Sequence, residues 1–260
     1  MRWNPVSSFT IAFLVISMLG GVSAQQPDPA SEIAPAGKLR GAVIGIKVLG
    51  GVGQPIGRFV AEKLGRSFEP VVYPNPDSYQ QSFGKNEWDI AIGPRVLAPQ
   101  EMANVGADVW LIDLLYLAAP GHQFAAADQV DHDGVAIGTI QNSPSDRFLS
   151  RTLKSARLVH LPLSPRFPAD AVDLMRTGKA DVFGADAGLI SAIAGAYPEA
   201  AVVPGTFNVV RAAVALPKGR SAAAQALLAD ILDEAKRTGV VQKAIEQTGL
   251  TTGVHVAPAD

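Results

Sequence analysis

Short apolar, β-branched runs alternate with stretches of helical periodicity through most of this chain, and that alternation restricts it to α/β layers around a largely parallel sheet. Ala42–Val48 is fit for a buried strand. Gly50-Gly51-Val52-Gly53 then reads as a turn, with Pro55 where the first turn of a helix accepts proline. Ile56, Phe59, Val60 and Leu64 recur at helical spacing, which predicts a helix over Pro55–Leu64 ended by Gly65. Val71–Tyr73, Trp88–Ile92 and Val109–Ala118 read as further strands, with a helix over Pro76–Phe83 between the first two.

A second series repeats the plan. Gly134–Ile140 reads as a strand and Ser143–Leu153 as a helix, with Ser143 as N-cap, Pro144 at N1 and Asp146 in an acidic first turn. Leu158–Leu161, Ala180–Gly184 and Ala201–Val203 are strands; Pro168–Thr177 and Gly188–Ala196 are helices. The chain closes with a strand at Val209–Leu216, a long helix over Ser221–Thr238, a helical segment over Gly239–Gln247 and a loose tail from Val254.

The N-terminus carries a different signal. Arg2 precedes the charge-free apolar run Ile11–Leu19, and Val22-Ser23-Ala24 ends in the small residue that signal peptidase accepts. Residues 1–24 are therefore expected to be a cleavable signal peptide that sends the protein to the periplasm. Its apolar core is shorter than the roughly 20 residues a membrane span requires. Cleavage removes one arginine and no acid, taking the formal charge from −2 to −3. A faintly acidic chain without a clustered basic face argues against nucleic acid as a partner. There is no cysteine, hence no disulfide or thiolate metal site, and His122, His132, His160 and His255 lack metal-ligand spacing. No cofactor and no metal are expected.

Several motifs in order carry a resemblance. Gly37-Lys38-Leu39-Arg40 leads into the first strand and Lys85-Asn86-Glu87-Trp88-Asp89-Ile90-Ala91 into the third. Val135-Ala136-Ile137 runs on to Asn142-Ser143-Pro144-Ser145-Asp146-Arg147-Phe148-Leu149. Met175-Arg176-Thr177-Gly178-Lys179-Ala180-Asp181-Val182 and Ala213-Val214-Ala215-Leu216-Pro217-Lys218-Gly219 follow. Together they resemble the bacterial extracellular solute-binding proteins of family 3, with the type II periplasmic-binding fold. The resemblance implies two α/β lobes, residues 38–118 plus 208–250 and residues 122–205, with crossings near Ala118–Pro120 and Pro204–Asn208. It also implies a hinge, a ligand in the interlobe cleft, and an ABC transporter permease in the inner membrane as partner of a monomeric receptor.

In open α/β sheets the crevice lies beyond the carboxyl ends of the strands, which directs attention to four loops. Gly50–Gln54, with Gly53 and Gln54 at its end, offers amides at a helix N-terminus, or else is a plain turn. After Gly93, Arg95 is placed for a bidentate carboxylate contact, or is a surface residue. Asn142 and Ser143 match the family's carboxylate-gripping loop, compatible with a simple N-cap role. Asp186 corresponds to the acid that pairs with a ligand ammonium in amino-acid receptors; its bland alternative is an N-cap. The family's ligand arginine falls at about Glu101 here, a departure that puts a standard amino acid in doubt. Tyr73, Tyr79 and Tyr116 are expected in the core.

The expected ligand is accordingly a small polar, carboxylated solute, an amino acid or related organic acid, and no catalytic residue is assigned. Two alternatives stay open. One is an exported enzyme on the same fold, a cyclohexadienyl dehydratase-like lyase using Asp186 or Glu101 as general acid. The other is a ligand-sensing accessory subunit that feeds no transporter.

Overall fold

The computed structural model describes Met1, residues 28–250 and residues 252–258. The expected signal peptide, beyond Met1, lies outside the described residues. Among the described residues no helix is long and apolar enough to cross a membrane.

A short helix α1 (Pro29–Ile33), not foreseen from sequence, precedes β1 (Lys38–Ile44), α2 (Lys47–Lys63), β2 (Ser67–Tyr73), α3 (Pro76–Gln81) and β3 (Ile90–Pro94). A 3-10 turn (Arg95–Leu97) leads to the long β4 (Ala103–Ala118). The second series is β5 (Ala136–Ile140), α4 (Pro144–Thr152), β6 (Arg157–Leu161), α5 (Ala169–Arg176), β7 (Val182–Asp186), α6 (Ala187–Ala196) and β8 (Ala201–Val202). Then come β9 (Asn208–Pro217), α7 (Ala222–Arg237), α8 (Val240–Gln247) and β10 (Val254–Val256).

The strand order β2-β1-β3-β9-β4-β7-β5-β6 places two parallel triplets on either side of the antiparallel pair β9–β4. β4 belongs to both halves. It pairs with β9 from Ala103 to Leu114, and from Leu114 onward it pairs with β7, up to Ala118 against Val182. Leu114 is thus the residue at which one strand exchanges partners. The apolar interior divides in the same way. One core gathers Leu39, Ile56, Ile92, Trp110, Val214 and Ile245, and others gather Phe183, Ile190 and Ile193, and Ile137, Leu149 and Val182. Tyr73, Tyr79 and Tyr116 are buried, as expected.

Two sequence readings are corrected. Gly50–Gly53 is not a turn; α2 begins at Lys47, two residues after Gly45, and runs straight through the glycines and Pro55. Val48, Val52, Ile56 and Val60 give it one buried stripe. The glycines provide close approach to the sheet: a Cβ on Gly53 would lie 3.2 Å from Ile92, and one on Gly57 only 2.3 Å from Phe68. Pro55 leaves the carbonyl of Gly51 without its helical donor, but Gly51 is exposed and water can serve instead. The C-terminal tail is not loose either: β10 adds to β4, Val254 opposite Ile112 and Val256 opposite Trp110.

Candidate functional site

The carboxyl ends of β1, β2 and β3 face those of β5 and β7 across a crevice between the two halves. Its centre is a narrow waist lined by Ile46, Leu49, Ile112, Leu114, Ile140, Leu189 and Val210, with Ser143, Ser145 and Asp186 as its polar groups. The waist encloses about 10 Å³, room for one water. A mouth of about 530 Å³ opens on one side, lined by Lys47, Asn75, Ser164 and Phe167 among others. Another of about 470 Å³ is lined by Arg95, Phe148, Arg151 and Arg211 among others. Ile46 and Leu189 are shared with the first mouth, and Leu114, Pro144 and Val210 with the second, so the three spaces are contiguous.

The halves touch across this crevice. Asn142 Nδ2 donates to Asp77 Oδ2 at 3.0 Å, joining the loop after β5 to the first turn of α3. Arg147, on α4, donates to the side-chain carbonyl of Gln80 on α3. At the opposite side a Cβ on Gly188 would lie 2.9 Å from Val48, so the first turns of α6 and α2 are in contact. These contacts describe a closed arrangement.

Asp186 ends β7 and caps α6, accepting from the Leu189 N–H at 3.0 Å. Burial pushes its carboxyl up to about 6; the Leu189 and Gly188 amides oppose the shift without cancelling it, and no cation offsets it. Among the described residues it is the one titratable side chain lining the waist. Ser143 caps α4 as read from sequence, accepting from Asp146 N at 3.2 Å. Its hydroxyl continues to Ser145 at 2.7 Å, then to Thr139 at 3.0 Å, which donates to the Gly184 carbonyl at 2.8 Å. The waist therefore has a hydroxyl-lined wall whose lone pairs and protons are mostly satisfied internally.

The other residues singled out from the sequence have different surroundings. Asn142 takes a left-handed conformation (φ 59°), which asparagine tolerates, and its side chain is engaged with Asp77. Gly93 lies within β3, where a Cβ would meet the Tyr79 hydroxyl at 3.1 Å. Arg95 does not point into the waist. It grips Asp108 through Nε at 2.9 Å and Nη2 at 2.7 Å, and Arg211 Nη1 approaches the other carboxylate oxygen at 2.7 Å. Burial alone would raise the Asp108 carboxyl, but the hydrogen bonds from Arg211 and Arg95 hold it below the usual carboxylate range. Gly53 and Gln54 sit inside α2, Gly53 packed against the sheet and Gln54 accepting from Arg58. They do not line the waist or either mouth, because the true loop after β1 is Gly45–Ile46. Glu101 is exposed in a turn before β4.

Sequence reasoning missed Asp77, Gln80, Arg147, Arg151 and Arg211. The available signal was that Arg147 and Arg151 stand one helical turn apart on the helix capped by Ser143, and so share a face.

No family model matches the chain, and no curated protein matches it in sequence. Solved structures do match in shape. The L-cysteine solute receptor of Neisseria gonorrhoeae aligns with a TM-score of 0.66 at 18% identity over 84% of this chain and 92% of that one. The fold is that of the two-lobed periplasmic-binding proteins. The amino acid ABC transporter substrate-binding protein AbpA from Streptococcus pneumoniae, bound to L-arginine, aligns at a TM-score of 0.65 and 15% identity over 83% of this chain and 96% of that one. An ancestral amino acid-binding protein, a precursor of cyclohexadienyl dehydratase, aligns at 0.65 and 17% over 84% and 97%. In the present structure β4 and β9 run between the two halves, and the waist with its mouths lies between them.

Proposed function

We propose that this chain is a periplasmic solute receptor with two lobes, one running from residue 38 into β4 as far as Leu114 and resuming with β9 through β10, the other holding the rest of β4 and residues 122–205, which shut on a small polar, carboxylated solute and present it to an ABC importer in the inner membrane. The observation that carries the reading is the crevice itself. Side chains from both halves meet across it, and an unpaired acid, Asp186, and two serines face its waist. A ligand that touches both walls stabilises the closed state by contacts unavailable when the lobes part. A solute of the amino-acid or organic-acid class is consistent with L-cysteine and L-arginine, the ligands of two structural neighbours.

The enzymatic alternative has one observation in its favour, an acid held near pH 6 in an apolar setting, where it keeps a proton available at mildly acidic pH. Against it, the described residues lining the waist include no second acid or base to complete an elimination.

The test is a thermal-shift screen of the mature protein against amino acids, organic acids and amines, followed by small-angle X-ray scattering with the hits. A receptor gives a saturable shift and a smaller radius of gyration with ligand, and turns nothing over. Conversion of a ligand into product would replace this reading with the enzymatic one.

A further inference from the structure

The second mouth of the crevice is both cationic and oily. Arg95 and Arg211 share a single carboxylate, Asp108, and Arg151 hydrogen-bonds only a carbonyl, that of Arg147 at 2.7 Å, among the described residues. Three guanidiniums therefore face this space against one acid, and Arg151 and Arg211 each keep unused donors directed at solvent or a ligand. Beside them stand Val96 and Val209, 45% and 37% exposed and among the few large apolar side chains the fold leaves in water, with Phe148 next to them. Arg95 and Arg211 come from the half built on β3 and β9, Arg151 and Phe148 from α4 in the other half.

We propose that this mouth takes an organic anion with an apolar body, an alkyl or aryl carboxylate, whose charged end bridges Arg151 and Arg211 while its body lies on Val96, Phe148 and Val209 and extends along Leu114 and Val210 toward the waist. The proposal rests on the receptor reading and narrows its solute class. A carboxylate suits the geometry because a guanidinium offers a planar fork and loses less on leaving water than an ammonium does. A zwitterion suits it poorly, since its ammonium would enter a space where cations already outnumber acids. The waist beyond it supplies an almost wholly apolar lining along which the ligand's body can extend. A bound anion touching α4 and β9 at once also favours closure, because the two guanidiniums it joins belong to different lobes.

The experiment is isothermal titration calorimetry on the mature chain with butyrate, hexanoate, benzoate and phenylacetate, each beside its primary amide, and with L-leucine and L-phenylalanine. At least one carboxylate is expected to bind at least roughly ten-fold more tightly than its amide, as charge-assisted hydrogen bonds require. Arg151→Gln and Arg211→Gln should each remove about ten-fold of that affinity and lower its salt dependence. Both side chains are exposed, so unchanged ligand-free melting shows that the variants still fold. Carboxylates that bind equally well to both variants overturn the proposal. So does binding of the amino acids alone, lost in Asp186→Asn and indifferent to the arginine changes, which leaves the receptor reading intact. If no solute of any class binds or alters the scattering, both readings fail.

Discussion

The waist and the arginine mouth are walled partly by the same residues, Leu114, Pro144 and Val210, yet they are built for opposite tasks. The waist is narrow, nearly full and carries an acid whose ionised form burial disfavours. The mouth is roomy, open to solvent and rich in guanidinium groups. The difference lies in what each half contributes. The ends of β1, β5 and β7 bring apolar side chains and helix caps, which pack; the outer face of β9 and the last turn of α4 bring long cations, which do not. Selectivity in such a crevice is set where desolvation and charge act together, and here that is the border between the two regions at Leu114.

Leu114→Ala should disturb both regions most. Leu114 is 1% exposed and sits where β4 exchanges β9 for β7. Its truncation should cost about 2–5 kcal/mol, because a buried side chain is lost and a cavity remains. The same change opens the waist into the mouth, so a bulkier carboxylate should lose less affinity than a small one. Chemical denaturation and calorimetry check the two parts separately.

Asp186→Asn sharpens the contrast from the other side. With its carboxyl raised to about 6, folding favours the protonated acid. The stability it contributes is complete below about pH 4 and is lost as pH rises through about 6. At about pH 8 the variant should therefore be more stable than the parent by roughly 1–3 kcal/mol, since asparagine keeps the helix cap and carries no charge to desolvate. Melting curves at about pH 4 and pH 8 test the sign: a variant less stable than the parent at the higher pH would contradict a partly buried carboxylate without a cationic partner.

Asp108→Asn acts on the mouth alone. It releases Arg95 and Arg211 from their shared carboxylate, and carboxylate affinity should rise by about two- to ten-fold while stability falls by about 1 kcal/mol. An unchanged affinity would mean that the arginines and the anion do not share a site.

The distinction between these regions also marks how far the sequence can be read. The α/β order, the two parallel series and the caps Ser143 and Asp186 are legible because each depends on neighbours within a turn or two. The glycine run of α2 is misleading because glycine signals a turn locally, whereas here it answers to Phe68 and Ile92 on strands that only tertiary packing brings near. The pairing of β10 with β4 is hidden for the same reason. Arg151 and Arg211 are 60 residues apart in sequence, and nothing short of the β9–α4 juxtaposition brings them to one mouth. Arg95 is recognisable as a cation after β3, but its partner Asp108 comes from the bulged stretch of β4, which no local pattern announces.

The contact that holds both regions shut should matter least. Asp77→Ala removes the acceptor of Asn142 on the far wall, a partly buried hydrogen bond between lobes worth about 0.5–1.5 kcal/mol. Because Asp77 and Asn142 belong to different halves, that energy is absent when the crevice opens, so its loss should shift the ligand-free equilibrium toward the open form by about two- to ten-fold with little change in global unfolding. Scattering without ligand should show a larger mean radius of gyration, and saturating ligand should restore the parent value. An unaltered ligand-free profile would show that apolar contact beside the first mouth, such as Val48 against Gly188, already suffices to keep the lobes together.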